Sequence, residues 1–224
     1  MALIFPDAHT HHSLTEGLSL LNIHPGKDTI PQEPNRFFSA GIHPWFLTHS
    51  FETEFKLLTT LVENPAMAAM GECGLDSCRG PGLKIQEEAF ALQVHLASEK
   101  SLPLIIHCVR QEDRLISILK SLRFSDPVVI HGFRSGIRRL KNYLDKDYYI
   151  SLGADFLTRF QDGREALRLI PSDRLLFETD EHPLPVKELY ILAAQILNVD
   201  PFLMRAQIFK NFINCFPKIH VPLD

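Results

Sequence analysis

Several of the 11 histidines in this 224-residue chain close short apolar runs, and carboxylates close others. The first run ends Asp7-Ala-His9-Thr-His11 and the third ends Gly71-Glu72-Cys73-Gly74-Leu75-Asp76. The fourth ends Ile106-His107-Cys108, the fifth Ile130-His131-Gly132, and the last Phe177-Glu178-Thr179-Asp180. Strand side chains alternate between faces, so His9 and His11 point the same way and make a metal half-site. Mixed imidazole and carboxylate donors suit Zn²⁺, Mn²⁺ or similar divalent ions. Four histidines with two or three carboxylates are too many for one closed site. They suit two metals about 3.5–4 Å apart, with positions open for water and substrate. One His-x-His pair or one strand-end histidine is ordinarily a packing or capping feature. Five such endings in order are hard to explain as packing, because buried titratable groups need partners.

The elements that must position these residues can be read from the pattern. Apolar runs of strand length lie at Ala2–His9, Phe37–His43, Ala66–Glu72, Leu104–Cys108, Val128–His131, Tyr148–Leu152 and Leu175–Thr179, and Leu18–Ile23 supplies a short candidate eighth. Helical spacing of apolar residues marks Phe51–Asn64, Lys84–Lys100, Glu112–Leu122, Gly136–Leu144, Gly163–Ile170, Val186–Leu197 and Pro201–Phe216. Alternating strand and helix predicts an α/β fold with a parallel sheet. Seven or eight strands in 224 residues predict a compact or distorted (β/α) barrel, a fold that typically takes about 250 residues and rarely fewer than about 200. The C-terminal strand ends of such a barrel meet at one mouth, where its active sites lie. A doubly wound open sheet is the alternative, but the Gly-rich nucleotide loop expected after its first strand is absent.

Composition sets the outer bounds. Hydrophobic residues make up 45% and charged residues 22%, which allows a sizeable core and argues against disorder. A net charge of −4 argues against holding long duplex DNA by bulk positive charge. A local anion site remains available: two divalent ions, Glu72, Asp180 and a hydroxide sum to a formal charge of about +1. No run reaches the roughly 20 apolar residues of a membrane span, and the N-terminus lacks a basic leader, so a cytoplasmic protein is expected. The four cysteines, Cys73, Cys78, Cys108 and Cys215, lack metal-ligand spacing and read as reduced thiols. Without repeats or a linker, residues 1–224 read as a single domain.

Taken together, DAHTHH, GIHPW, GECGLD, LPLIIHC, VIHGF and LLFETD resemble the TatD-related metal-dependent hydrolases, in the order and at the spacing of that family. The resemblance runs from Asp7 to about His182. It implies a distorted TIM-type barrel with a one- or two-metal centre, and several members are deoxyribonucleases. By motif, the metal ligands fall on His9, His11, Glu72 as the bridging carboxylate, His107, His131 and Asp180. Asp180 would also orient or deprotonate the attacking water. The chain departs from the family between His11 and Ala40, where it is short, and after Asp180, where Glu181-His182-Pro183-Leu184-Pro185 runs directly towards a helix. The basic residue that follows the fourth-strand histidine is Arg110, three positions past His107.

The expected chemistry is phosphodiester hydrolysis by a metal-activated water, with two divalent ions (Zn²⁺, Mg²⁺ or Mn²⁺) and a DNA or other phosphodiester substrate. Catalysis rests on Glu72 and Asp180. Asp7 and Glu178 share strand faces with the ligands, and each either orients a histidine or serves structure, as a cap or an interior salt bridge. His43, Arg110 and Arg134 are candidate substrate contacts. Trp45 either stacks on a base or packs beside Pro44. Arg138, Arg139 and Lys141 read first as a solvated helix face. A monomer or small homo-oligomer is expected. Hydrolysis of an amide or lactone on the same scaffold is the alternative. It is disfavoured because no lysine closes a strand to supply the carboxylated bridge used by many binuclear amidohydrolases. A non-catalytic metal-binding barrel fits a full ligand set least well.

Overall fold

A computed structural model describes residues 4–12, 17–33, 36–48, 50–159 and 163–220. Ala2 and Leu3 of the first apolar run lie outside the described residues. Among the described residues three strands come first, helices and strands then alternate with two helices before the last strand, and two helices close the chain. The strands are β1 (Asp7–Thr10), β2 (Ser19–Ile23), β3 (Phe37–Ala40), β4 (Met67–Asp76), β5 (Leu104–Val109), β6 (Val128–Ile130), β7 (Tyr149–Leu152) and β8 (Leu175–Phe177). The helices are α1 (Glu52–Leu61), α2 (Leu83–Glu99), α3 (Glu112–Ser121), α4 (Ile137–Leu144), α5 (Ala154–Arg159), α6 (Gly163–Leu169), α7 (Val186–Leu197) and α8 (Pro201–Cys215). The strands follow one another in the sheet in chain order. The candidate eighth strand is real: it is β2. Helix α5 was not expected, because its six residues are too few to show a helical period.

The chain divides into two compact units, Met1–Leu21 with Val129–Pro217 and Asn22–Val128 with Lys218–Asp224. In the first unit β1 pairs with β2, β6 with β7 and β7 with β8, all parallel, with Val129 opposite Tyr149 and Leu152 opposite Phe177. Just past β8, Asp180 pairs with Thr10, so the extension of the last strand runs beside the first. Helices α7 and α8 pack on β8, and the Tyr190 hydroxyl donates to the Pro6 carbonyl at 2.7 Å. Asp200 caps α8 by accepting from the Phe202 and Leu203 amides, ahead of Pro201 in the first turn.

In the second unit β3, β4 and β5 form parallel pairs. All ten residues of β4 are buried, and Leu104, Ile105 and Ile106 of β5 are fully buried. Strands covered on both faces read as continuous apolar runs, as these do. Burying each such side chain contributes roughly 1.5–3 kcal/mol. Gly74 has φ 142° and sits against β5, where a Cβ would meet the His107 carbonyl at 2.0 Å. Only glycine lets these two backbones come so close.

Candidate metal centre and its surroundings

The first unit gathers His9, His11 and Asp180, each offering one ligand atom, all within 4.8 Å of one another. The Asp180 Oδ1 lies 3.8 Å from His9 Nε2 and 3.6 Å from His11 Nε2. The backbone produces this convergence. The Asp180 amide donates to the His9 carbonyl and the His11 amide donates to the Asp180 carbonyl, both at 3.0 Å. This two-way pairing fixes the carboxylate between the imidazoles that strand alternation put on one face. The His131 ring packs 4.6 Å from the His9 ring, between centroids.

Two carboxylates support this group. Glu178 is fully buried; its Oε1 lies 3.6 Å from His131 Nδ1 and accepts from the Gly132 amide. Burial pushes its pKa up. The His131 hydrogen bond and the charges of His131 and His9 pull it down further, and the net position is below the ordinary range. Glu178 is thus placed against the His131 ring, as either of its two expected roles requires. Asp7 does something else. Its Oδ1 accepts from the amides of Thr179 and His9 at 3.0 and 3.3 Å, and its Oδ2 accepts from the Thr179 hydroxyl at 2.7 Å. It holds backbone, tying the start of β1 to the end of β8, which is the capping role. Burial pushes its carboxyl up to about 7 against those three donors.

Beside Asp180 lies a cavity of about 320 Å³, lined among others by Gly132, Arg134, Asp155, Glu178 and His182. The Arg134 guanidinium lies at its rim, 3.4 Å from the Asp155 carboxylate. On α4, Arg138 and Lys141 are exposed while Leu140 and Tyr143 are buried, as an amphipathic helix requires.

The second unit gathers His43, Glu72 and His107, again with ligand atoms within 4.8 Å of one another. Glu72 Oε1 lies 3.6 Å from His43 Nε2 and 3.9 Å from His107 Nδ1. The other His107 nitrogen, Nε2, is 3.0 Å from Asp76 Oδ2. A proton held there by a carboxylate leaves Nδ1 as the electron-pair donor towards Glu72, the arrangement that sets a metal-ligating histidine. Burial raises the Asp76 pKa, but hydrogen bonds from Trp45, His107 and the Cys78 amide lower it further, so the net shift is downward and Asp76 is held ionised. At His43, Nδ1 accepts from the Trp45 amide at 3.1 Å. The neutral ring that accepts there carries its proton on Nε2, the atom facing Glu72, so His43 is a hydrogen-bond donor at this group.

Sequence reasoning missed two residues here. Asn22 on β2 accepts from the Glu72 amide at 2.9 Å through Oδ1 and donates to Glu72 Oε2 at 3.4 Å. Asp76 is the other; its parity with Glu72 along β4 was a usable signal. Cys73 is buried and its thiol is pushed well up by burial, as expected of a core residue. Arg110 stands exposed in left-handed backbone, φ 56°, and takes no part in the Asp76–Trp45–His107 network.

The donor sets of both groups, imidazole nitrogen and carboxylate oxygen at near-coordination separations, fit divalent ions. Comparison with known proteins agrees. A family model described as TatD related DNase matches residues 6–217. The chain is 36% identical over 172 residues to a protein of Erwinia tasmaniensis named 3'-5' ssDNA/RNA exonuclease TatD, a match covering 75% of this chain and 66% of that protein. It is 31% identical over 157 residues to YcfH of Escherichia coli, named an uncharacterized metal-dependent hydrolase, covering 69% of this chain and 58% of that protein. The chain thus spans about two thirds or less of the length of these relatives. Among solved structures, YjjV, a TatD homolog from Escherichia coli, superposes with a TM-score of 0.85 at 20% identity, covering 99% of this chain and 100% of that one. A TatD family hydrolase from Entamoeba histolytica gives 0.75 at 16%, covering 96% and 99%. The fold class is therefore the α/β TIM-type barrel expected from the sequence, with eight strands among the described residues, the larger of the two expected numbers.

Proposed function

Since the chain belongs to the TatD related DNase family, we propose that it is a divalent-metal-dependent phosphodiesterase acting at the ends of single-stranded DNA or RNA. The observation that carries this reading is the Asp180 carboxylate set against both imidazoles of the His-x-His pair. The name of the Erwinia relative supports the substrate class.

His9, His11, His131 and Asp180, with Glu72 and His107, are the residues that would hold two divalent ions (Zn²⁺, Mg²⁺ or Mn²⁺). When bound, such ions make water a nucleophile near neutral pH and polarise a phosphoryl oxygen. The side chains do the rest. Asp180 accepts the proton of the attacking water, a role typically worth about 10²–10⁴-fold in rate. Its position is fixed by backbone on both sides, so little reorganisation is needed. Glu178 holds the His131 ring, and Asp76 holds the His107 ring. His43 presents an N–H for a phosphoryl or leaving-group oxygen, and Arg134 supplies positive charge at the cavity rim. Arg110 is a further candidate for a phosphate contact. Residues 1–224 act as one hydrolase domain, cytoplasmic, as a monomer or small homo-oligomer. No helix among the described residues is long and apolar enough to cross a membrane.

The test is metal-dependent shortening of a single-stranded DNA oligomer, run beside the Glu72→Ala, Asp180→Ala double variant and beside aryl phosphodiester, amide and lactone panels. Shortening that the double variant lacks supports the proposal. Intact DNA with turnover of an amide or lactone overturns the nuclease reading.

A further inference from the structure

In the second unit, the loop after β3 carries two adjacent exposed rings. Trp45 is 39% exposed and Phe46 50%. One exposed aromatic residue is ordinary. Here each ring also carries a cation on its face. The Arg79 guanidinium lies 4.3 Å from the Trp45 ring centroid, and the Lys27 ammonium lies 4.2 Å from that of Phe46. The two cations come from different loops, so neither pairing follows from chain proximity.

The platform is held rigid. The Trp45 indole N–H donates to Asp76 Oδ2, the oxygen that also pairs with His107 Nε2. The His43 and His107 rings pack edge-on to Trp45 at 4.9 and 5.2 Å, and His24 packs edge-on to Phe46 at 5.1 Å. Asp76 Oδ1 accepts from the Arg79 amide, and the Gln86 side chain donates to the Arg79 and Pro81 carbonyls. At Gly80, φ 82°, a Cβ would lie 2.2 Å from the Pro44 carbonyl, so the Arg79 loop and the Trp45 loop touch backbone to backbone. A surface fixed before its ligand arrives loses little on binding.

We propose that Trp45, Phe46, Lys27 and Arg79 form a subsite for single-stranded nucleic acid, in which bases stack on the two rings and phosphates take up the two cations. A simple anion has no use for the rings, and an apolar ligand has no use for the cations. An anionic chain of planar bases uses both. The inference deepens the hydrolase reading above and rests on it for the substrate class. The shared Asp76 carboxylate links the subsite to the His107 ligand. Burial lowers the His24 pKa and keeps that ring neutral, so Lys27 and Arg79 supply the charge of the subsite.

Trp45 is the single tryptophan of the chain, so intrinsic fluorescence reports on it alone. The metal-stripped protein is titrated with a short oligothymidylate. Saturable quenching is expected, with log affinity falling against log salt at a slope of about −1.4, from two phosphate contacts at about 0.7 each. Lys27→Ala and Arg79→Ala should each remove about 0.7 from that slope. Phe46→Ala should weaken binding about tenfold and Phe46→Tyr should restore it. Near-UV circular dichroism checks that each variant is folded. No quenching, equal quenching by an abasic oligomer, or an unchanged salt slope in the folded Lys27→Ala, Arg79→Ala double variant would overturn the subsite. Adding Mn²⁺ to the same samples separates the two readings. Cleavage without quenching removes the subsite and leaves the hydrolase, whereas quenching without cleavage supports the subsite and removes the nuclease.

Discussion

The two ligand groups use the same donor chemistry and are oriented by different means. In the first unit, His9, His11 and Asp180 are aligned by backbone: the strand period faces the imidazoles one way, and a two-way amide pairing sets the carboxylate between them. This group is open, with the His11 and Asp180 side chains 34% and 26% exposed beside a cavity. In the second unit, Glu72 and His107 are aligned by side chains, Asn22 on one and Asp76 on the other. That group is closed, at 6% and 12% exposure. An open group held by backbone suits proton transfer and turnover. A closed group held by a carboxylate and an amide suits permanent metal retention.

The largest expected effects come from removing a ligand on each side. Asp180→Ala should lower kcat on a single-stranded oligomer by about 10²–10⁴-fold, the range of a lost acid–base group. Glu72→Ala should do the same through loss of metal, which metal analysis of the purified protein would register. If either variant retained full activity, that group would not belong to the reaction. A smaller effect is expected one step out. Asp76→Ala and Glu178→Ala should each weaken metal binding about 10–100-fold, measured by competition with a chromophoric chelator.

The next contrast is between metal and stability. Asp7→Ala strands the buried amides of His9 and Thr179, so unfolding free energy should fall by about 1–3 kcal/mol per unsatisfied group. Its metal affinity should change less than that of Asn22→Ala, which touches Glu72 directly; denaturant melts and chelator titrations on both variants would check this. The smallest effect is kinetic. A chelator added to the loaded protein should release metal in two phases, the faster lost in His11→Ala. One phase would remove the distinction between an open and a closed group.

The same contrast explains what the sequence could reveal. In the first unit His9 and His11 lie two residues apart at one strand end and Asp180 closes the last strand, so strand period and motif find them. The closing helices, expected at Val186–Leu197 and Pro201–Phe216 and found at Val186–Leu197 and Pro201–Cys215, were equally legible from apolar spacing. The supports of the second unit come from far along the chain: Asn22 is 50 residues from Glu72, and Asp76 is 31 from His107. No local pattern couples such positions. Asn22 also sits on β2, a strand whose alternation does not say which distant backbone group its amide will meet. The His43 tautomer depends on one amide of the Trp45 loop, a detail of backbone geometry.

The most direct test is anomalous diffraction from crystals of the protein loaded with Zn²⁺ or Mn²⁺. Two peaks are expected, one against His9, His11 and Asp180 and one against Glu72 and the Nδ1 of His107. Peaks away from these residues, or ligation of His107 through Nε2 with Asp76 displaced, would contradict the assignment of the two groups.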